Sequence, residues 1–112
     1  MDQSEQLDLA FAALAHPTRR AILARLAKGA ATVSQLAEPF EMSLPAISKH
    51  IRVLDKAGLI EQGRDAQFRP CKLNPKPLKA VAGWTEHYRH IWEGRFETMN
   101  EIITELKGGP DE

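Results

Sequence analysis

Apolar residues along the chain recur at helical spacing, alternate briefly, and then return to helical spacing. Leu7, Phe11, Leu14 and Ala15 lie three or four apart and predict a first helix over residues 5–15. His16-Pro17 interrupts it and fixes the junction. Proline suits the first turn of a helix, where its missing N–H removes no bond. A second helix is therefore expected from Thr18 to about Lys28, with Ile22, Leu23 and Leu26 as its stripe and Gly29 as its stop. Thr32-Val-Ser-Gln35 has capping-box spacing and opens a short helix over Val33 to Glu38, with Val33, Leu36 and Ala37 inward. Pro39 ends it. Ser43 caps a further helix that accommodates Pro45 and runs to about Lys56. Ala46, Ile47, His50, Ile51 and Leu54 line one side of that helix, and Gly58 terminates it.

The period then shortens. Leu59 to Gln62 and Gln67 to Leu73 read as two strands around a turn at Gly63 to Ala66. After Asn74-Pro75, residues 77–106 read as one long helix, or as two pieces broken near Gly83 or Gly94. A two-stranded hairpin is marginal alone in water, so it must lie against the helices. The expected fold is mainly α with a small β-hairpin, a winged helix-turn-helix. One domain spans 1–112: a first helix at 5–15, the helix-turn-helix at 32–57, the wing at 59–73 and a C-terminal helix at 77–106.

A chain of 112 residues with 43% hydrophobic and 27% charged residues is of single-domain length and is not disordered in composition. No apolar run approaches the ~18–20 residues of a membrane span. The opening Met-Asp-Gln-Ser-Glu-Gln is unlike a signal peptide. A soluble, cytoplasmic protein without a membrane partner is expected. The lone Cys71 permits no intrachain disulfide. Fifteen basic residues balance fifteen acidic ones, but unevenly. Leu9 to Ala37 holds no acid and four cations (Arg19, Arg20, Arg25 and Lys28), whereas Glu97 to Glu112 holds five acids against Lys107. A locally basic surface steers anions even at zero net charge.

In a helix-turn-helix, the N-terminal end of the second helix enters the DNA major groove. Here that end presents Ser43, Leu44, Pro45, Ala46, Ser48, Lys49 and Arg52. Ser48 and Lys49 have the chemistry for base edges or phosphates, and Leu44 and Pro45 for a thymine methyl. Arg52 and Lys56 suit phosphates. On the hairpin, Arg64 and Arg69 suit the backbone or the minor groove, with Gln67 as a secondary candidate. His50 falls on the inner side of its helix and reads as a packed, hydrogen-bonded histidine. Arg19 and Arg20 are expected either to touch phosphate or to pair with an acid of the first or last helix.

The last helix carries Val81, Trp84, Tyr88, Ile91, Trp92, Phe96, Met99, Ile103 and Leu106 at three- and four-residue steps. A headpiece of four helices and a wing leaves little core to cover such a stripe. A large exposed stripe marks an interface, most often between identical chains.

Two long runs carry a family resemblance. Phe11-Ala-Ala-Leu-Ala-His-Pro-Thr-Arg-Arg-Ala-Ile-Leu-Ala-Arg-Leu26 resembles the opening of the ArsR-type winged-helix repressors. Leu44-Pro-Ala-Ile-Ser-Lys-His-Ile-Arg-Val-Leu-Asp-Lys-Ala-Gly-Leu-Ile60 resembles their recognition helix and first strand, and Phe68 to Pro75 their second wing strand. The resemblance implies a homodimeric regulator, mostly a repressor, of double-stranded DNA partners. It implies pairing through the first and last helices, with Leu7, Phe11, Trp84, Tyr88, Ile91, Trp92, Phe96, Met99 and Ile103 at the interface.

Arsenic-sensing members carry a Cys-x-Cys pair where this chain has Thr32 and Ser34. Zinc-sensing members combine two histidines, spaced like His87 and His90, with an Asp-x-His pair where this chain has Asn74 and Lys76. A tetrahedral zinc site needs four good donors, and Glu86 is poorly placed to replace one. The chain thus resembles the subgroup without a recognisable metal site, and no metal or other cofactor is expected. His87 and His90 are expected to hydrogen-bond beside the interface. The sequence names no inducer, small molecule or metal. It carries no phosphate loop and no nucleophile–base–acid set, so no enzyme is expected. The alternatives are a winged-helix protein-interaction module and a metal-responsive repressor with an atypical site.

Overall fold

The first four helices begin where a side chain offers an acceptor to otherwise unbonded N–H groups. In the computed structural model, which describes residues 2–63 and 70–94, they are α1 (Gln3–Leu14), α2 (Pro17–Leu26), α3 (Val33–Ala37) and α4 (Leu44–Lys56). Asp2 accepts from the Glu5 N–H at 2.8 Å and starts α1 two residues before the expected residue 5. The imidazole of His16 caps α2, its Nδ1 accepting from the Thr18 N–H at 3.1 Å. Thr32 and Gln35 form the predicted capping box, each side chain accepting the other's N–H at 3.2 and 2.9 Å. Ser43 caps α4 through the Ala46 N–H at 3.3 Å.

The junction of α1 and α2 explains why two arginines follow His16-Pro17. The Ala13 carbonyl would normally accept from residue 17, but proline has no N–H. Arg19 Nε supplies the missing donor at 2.7 Å, while its NH2 reaches the Ala12 carbonyl at 3.1 Å. The Leu14 carbonyl would accept from Thr18, whose N–H His16 has taken. Arg20 NH1 bonds it instead, at 2.8 Å. Arg19 and Arg20 thus close the carbonyl end of α1, and neither pairs with an acid among the described residues. Cations there also oppose the negative end of the helix dipole.

α4 ends as its Gly58 predicts. Gly58 has φ 77°, its N–H bonds the Asp55 carbonyl at 2.9 Å, and the Leu59 N–H bonds the Leu54 carbonyl at 2.9 Å. This is a Schellman ending, with Leu54 and Leu59 both fully buried. The turn delivers the chain into β1 (Ile60–Gln62), which pairs antiparallel with β2 (Cys71–Leu73) in the register Ile60↔Leu73, Glu61↔Lys72, Gln62↔Cys71. Ala31 bridges to Cys71 on the other side of β2, with both N–H···O bonds made, at 3.0 and 2.7 Å. The expected strands thus form, shortened to three described residues each. The hairpin lies on a core of Ile22, Leu36, Ile47, Ile51, Leu54, Leu59, Ile60 and Cys71, drawn from α2, α3, α4 and the strands. Burying such aliphatic side chains contributes about 1.5–3 kcal/mol each.

The C-terminal helix departs from expectation. It forms α5 (Lys76–Glu86) and α6 (Arg89–Trp92), parted at His87-Tyr88. Thr85 Oγ1 donates to the Ala82 carbonyl at 2.9 Å. The His87 and Tyr88 N–H groups reach back only three residues, to Trp84 and Thr85, at 3.3 and 2.9 Å. Trp, Thr, His and Tyr are weak helix formers, and here they sit together. Gly83, an expected breaking point, is an ordinary helical position, while Gly94, with φ 73°, follows α6. Residues 95–106 of the expected helix lie outside the described residues. The chain divides into two compact units, Met1–Val81, with the helix-turn-helix and hairpin, and Ala82–Glu112.

Candidate nucleic-acid interface

α3 and α4 pack against each other through Leu36, Ile47 and Ile51, all buried. With 3.6 residues per turn, burial of Ile47, Ile51 and Leu54 turns Pro45, Lys49, Arg52 and Lys56 to the opposite face. All four are exposed. Leu44 is 51% exposed at the N-terminal end and Ser43 is exposed before it. Ala46 and Ser48, half-buried, lie at the two edges of this face. None of Lys49, Arg52 and Lys56 is ion-paired among the described residues, whose salt bridges join Arg89 to Glu86 and Glu93. Three cations in one stripe, with Asp55 at its edge, give α4 a surface that attracts an anion. Val53, 39% exposed beside this stripe, was not among the sequence candidates. Arg64, Gln67 and Arg69 of the wing lie outside the described residues.

Behind α4, His50 is half-buried against the start of α2. Its ring centroid lies 4.4 Å from that of His16, and its Nδ1 lies 3.2 Å from Arg19 NH1. Guanidinium only donates, so His50 Nδ1 is the acceptor and is unprotonated. Partial burial holds the His50 imidazole below its ordinary pKa, and the neighbouring His16 and Arg19 add to the effect. The packed role expected for His50 is the one observed.

Several of the positions compared above with metal ligands make local hydrogen bonds. Thr32 is the helix cap. The Asn74 amide donates to the Gly58 carbonyl at 2.9 Å and its oxygen accepts from the Lys76 N–H at 3.2 Å. Glu86 pairs with Arg89 at 2.6 Å, and His87 Nδ1 lies 3.1 Å from the Trp84 carbonyl. Among the described residues no three His, Cys, Asp or Glu side chains converge to hold a metal. Cys71 is fully buried, and burial, then the charge of Asp55, push its thiol pKa up. An open cavity of about 620 Å³ between α1, the end of α4 and the start of α5 has no sequence signal. No helix among the described residues is long and apolar enough to cross a membrane.

The proposed interface residues of the first unit are Leu7, half-buried, and Phe11, 37% exposed. In the second unit Trp84, Tyr88, Ile91 and Trp92 are 44%, 45%, 64% and 57% exposed. The Trp84 and Tyr88 ring centroids lie 5.1 Å apart, with the planes tilted by 52°. Phe96, Met99 and Ile103 lie outside the described residues.

Residues 14–63, from the end of α1 into the hairpin, match the family model of a helix-turn-helix domain. The chain is 39% identical over 74 residues to the transcriptional repressor SdpR of Bacillus subtilis, covering 66% of this chain and 82% of that one. It is similar to the crystal structure of an ArsR family transcriptional regulator, at 44% identity and a TM-score of 0.75, over 82% of this chain and 95% of that one. At fold level it resembles a homodimeric winged helix-turn-helix DNA-binding domain of Mycobacterium bovis, 24% identical with a TM-score of 0.62, over 80% and 84% of the two chains. The chain belongs to the ArsR family of helix-turn-helix transcriptional regulators.

Proposed function

We propose that the protein is a dimeric, cytoplasmic repressor, without catalytic activity, that reads an inverted-repeat operator with one α4 helix per half-site. The observation that carries this is the stripe Pro45, Lys49, Arg52 and Lys56, exposed opposite the buried face of a capped helix. Ser48 and Lys49 lie near the entering end and contact bases, while Arg52 and Lys56 contact phosphates. Arg64 and Arg69, with Gln67, add backbone contacts from the wing. Pairing through α1 and the aromatic residues of α5 and α6 sets two recognition helices about 34–36 Å apart, one DNA turn. The homodimeric fold neighbour supports the pairing, and the likeness to a transcriptional repressor supports repression, which would follow where the operator overlaps a promoter.

Selection from a random duplex library, followed by titration of the enriched duplex at several salt concentrations, tests this. The expected result is a two-fold symmetric site whose affinity falls steeply with salt as counterions are released. No enrichment over bulk DNA, with Lys49→Ala indistinguishable from the parent, would assign the chain to the protein-interaction class instead.

A further inference from the structure

We propose that Arg19 and His50 form a positioning joint that fixes the recognition helix to the end of α1, and that operator binding depends on His50 remaining unprotonated. This rests on the DNA-binding reading above. One guanidinium spans two helices: Nε and NH2 hold the Ala13 and Ala12 carbonyls at the end of α1, and NH1 holds Nδ1 of His50 on α4. The planar fork of arginine makes these three bonds at fixed angles, which a lysine ammonium cannot reproduce. α1 belongs to the proposed dimer interface and α4 to the DNA-reading face. Arg19 therefore couples the angle at which two subunits meet to the angle at which each reader enters its groove.

The joint has a protonation state built into it. His50 Nδ1 accepts from Arg19, and the side chains that act on His50 are Arg19 and His16, both from the start of α2 and neither an acid. A proton on Nδ1 would delete the bond to Arg19 and set two cations against each other at 3.2 Å. The α1 carbonyls would keep Arg19, so α4 is the partner released. The sign of the effect sets this apart from nonspecific electrostatics. Protonating exposed histidines adds positive charge and tightens DNA binding, whereas protonating His50 loosens it.

The test is anisotropy titration of the library-enriched duplex at about pH 8 and about pH 5.5, at constant salt, for the parent and for His50→Gln. The Gln amide oxygen accepts from Arg19 and does not titrate. The parent is expected to weaken on acidification, by at most about tenfold per subunit, the ceiling set by the ordinary histidine value of 6.5. His50→Gln is expected to bind as the parent does at the higher pH and not to weaken at the lower. Parent binding that is unchanged or tighter in acid, or equal weakening in His50→Gln, would overturn the joint and leave the DNA-binding reading standing. Failure of the parent to prefer any duplex at either pH would overturn that reading and the joint with it. Where His50→Gln does not fold, or the parent unfolds in acid, NMR titration of the His50 ring with and without duplex decides: a lower midpoint in the complex supports the joint, and an equal or higher one refutes it.

Discussion

Arg19 and Arg20 carry charges that, in a sequence, point outward to phosphates or acids. Both close carbonyls of α1, Arg19 holding His50 as well, because Pro17 and the His16 cap remove the two N–H donors that α1 would have used. The sequence shows the missing N–H of Pro17 only as harmless to α2; that it leaves a carbonyl of α1 open, and which side chain closes it, depends on the angle between two helices. His50 and Cys71 were legible as packed residues from their positions in the apolar pattern, and the structure adds the direction of their titration. The pKa of His50 is lowered on folding, so its stabilising contribution is complete above the ordinary value of 6.5 and is lost as pH falls through its lower folded value. The pKa of Cys71 is raised, so its contribution is complete below the ordinary value of 9.0 and is lost as pH rises through its higher folded value. Urea midpoints measured across pH should therefore decline at both ends. His50→Gln should remove part of the acid decline and Cys71→Ala part of the alkaline one. Loss of neither in the variants would refute the assignment. The native Cys71 thiol should also resist a thiol reagent at neutral pH until the protein unfolds.

Helix ends were the most legible elements. Thr32, Gln35, Ser43 and Gly58 announced starts and stops, and each occupies the place its chemistry requires, whereas α2 ends at Leu26, three residues before the expected stop at Gly29. Asp2 and His16 were missed as caps, the first because α1 begins before its apolar pattern does, the second because imidazole seldom caps. Thr32→Ala should lower stability by about 1 kcal/mol by leaving helix N–H groups unbonded. Gly58→Ala should cost about 1–2 kcal/mol through its φ of 77° alone, since an added Cβ would meet Pro77 Cγ at an ordinary 3.6 Å. Chemical denaturation measures both. A neutral Gly58→Ala would mean that the Schellman ending is not maintained in solution. The break at His87-Tyr88 was not legible, because spacing arguments register the apolar period and not where the hydrogen-bond ladder tightens.

At the scale of the molecule, the order of helices and hairpin was readable because the hairpin requires a helical support and each element carries its own punctuation. The dimer rests on a different kind of inference, from exposed aromatic surface to a covering partner. Sedimentation should find the parent dimeric at micromolar concentration and Trp92→Glu shifted toward monomer, and a monomeric parent would refute the pairing. The central claim is that two recognition helices, fixed one DNA turn apart, read one operator. Inserting five base pairs between the halves of the enriched duplex tests it most directly, since it turns one half-site to the opposite side of the helix without changing either sequence. The account predicts that affinity for the lengthened duplex falls to that for bulk DNA, and unchanged affinity would contradict it.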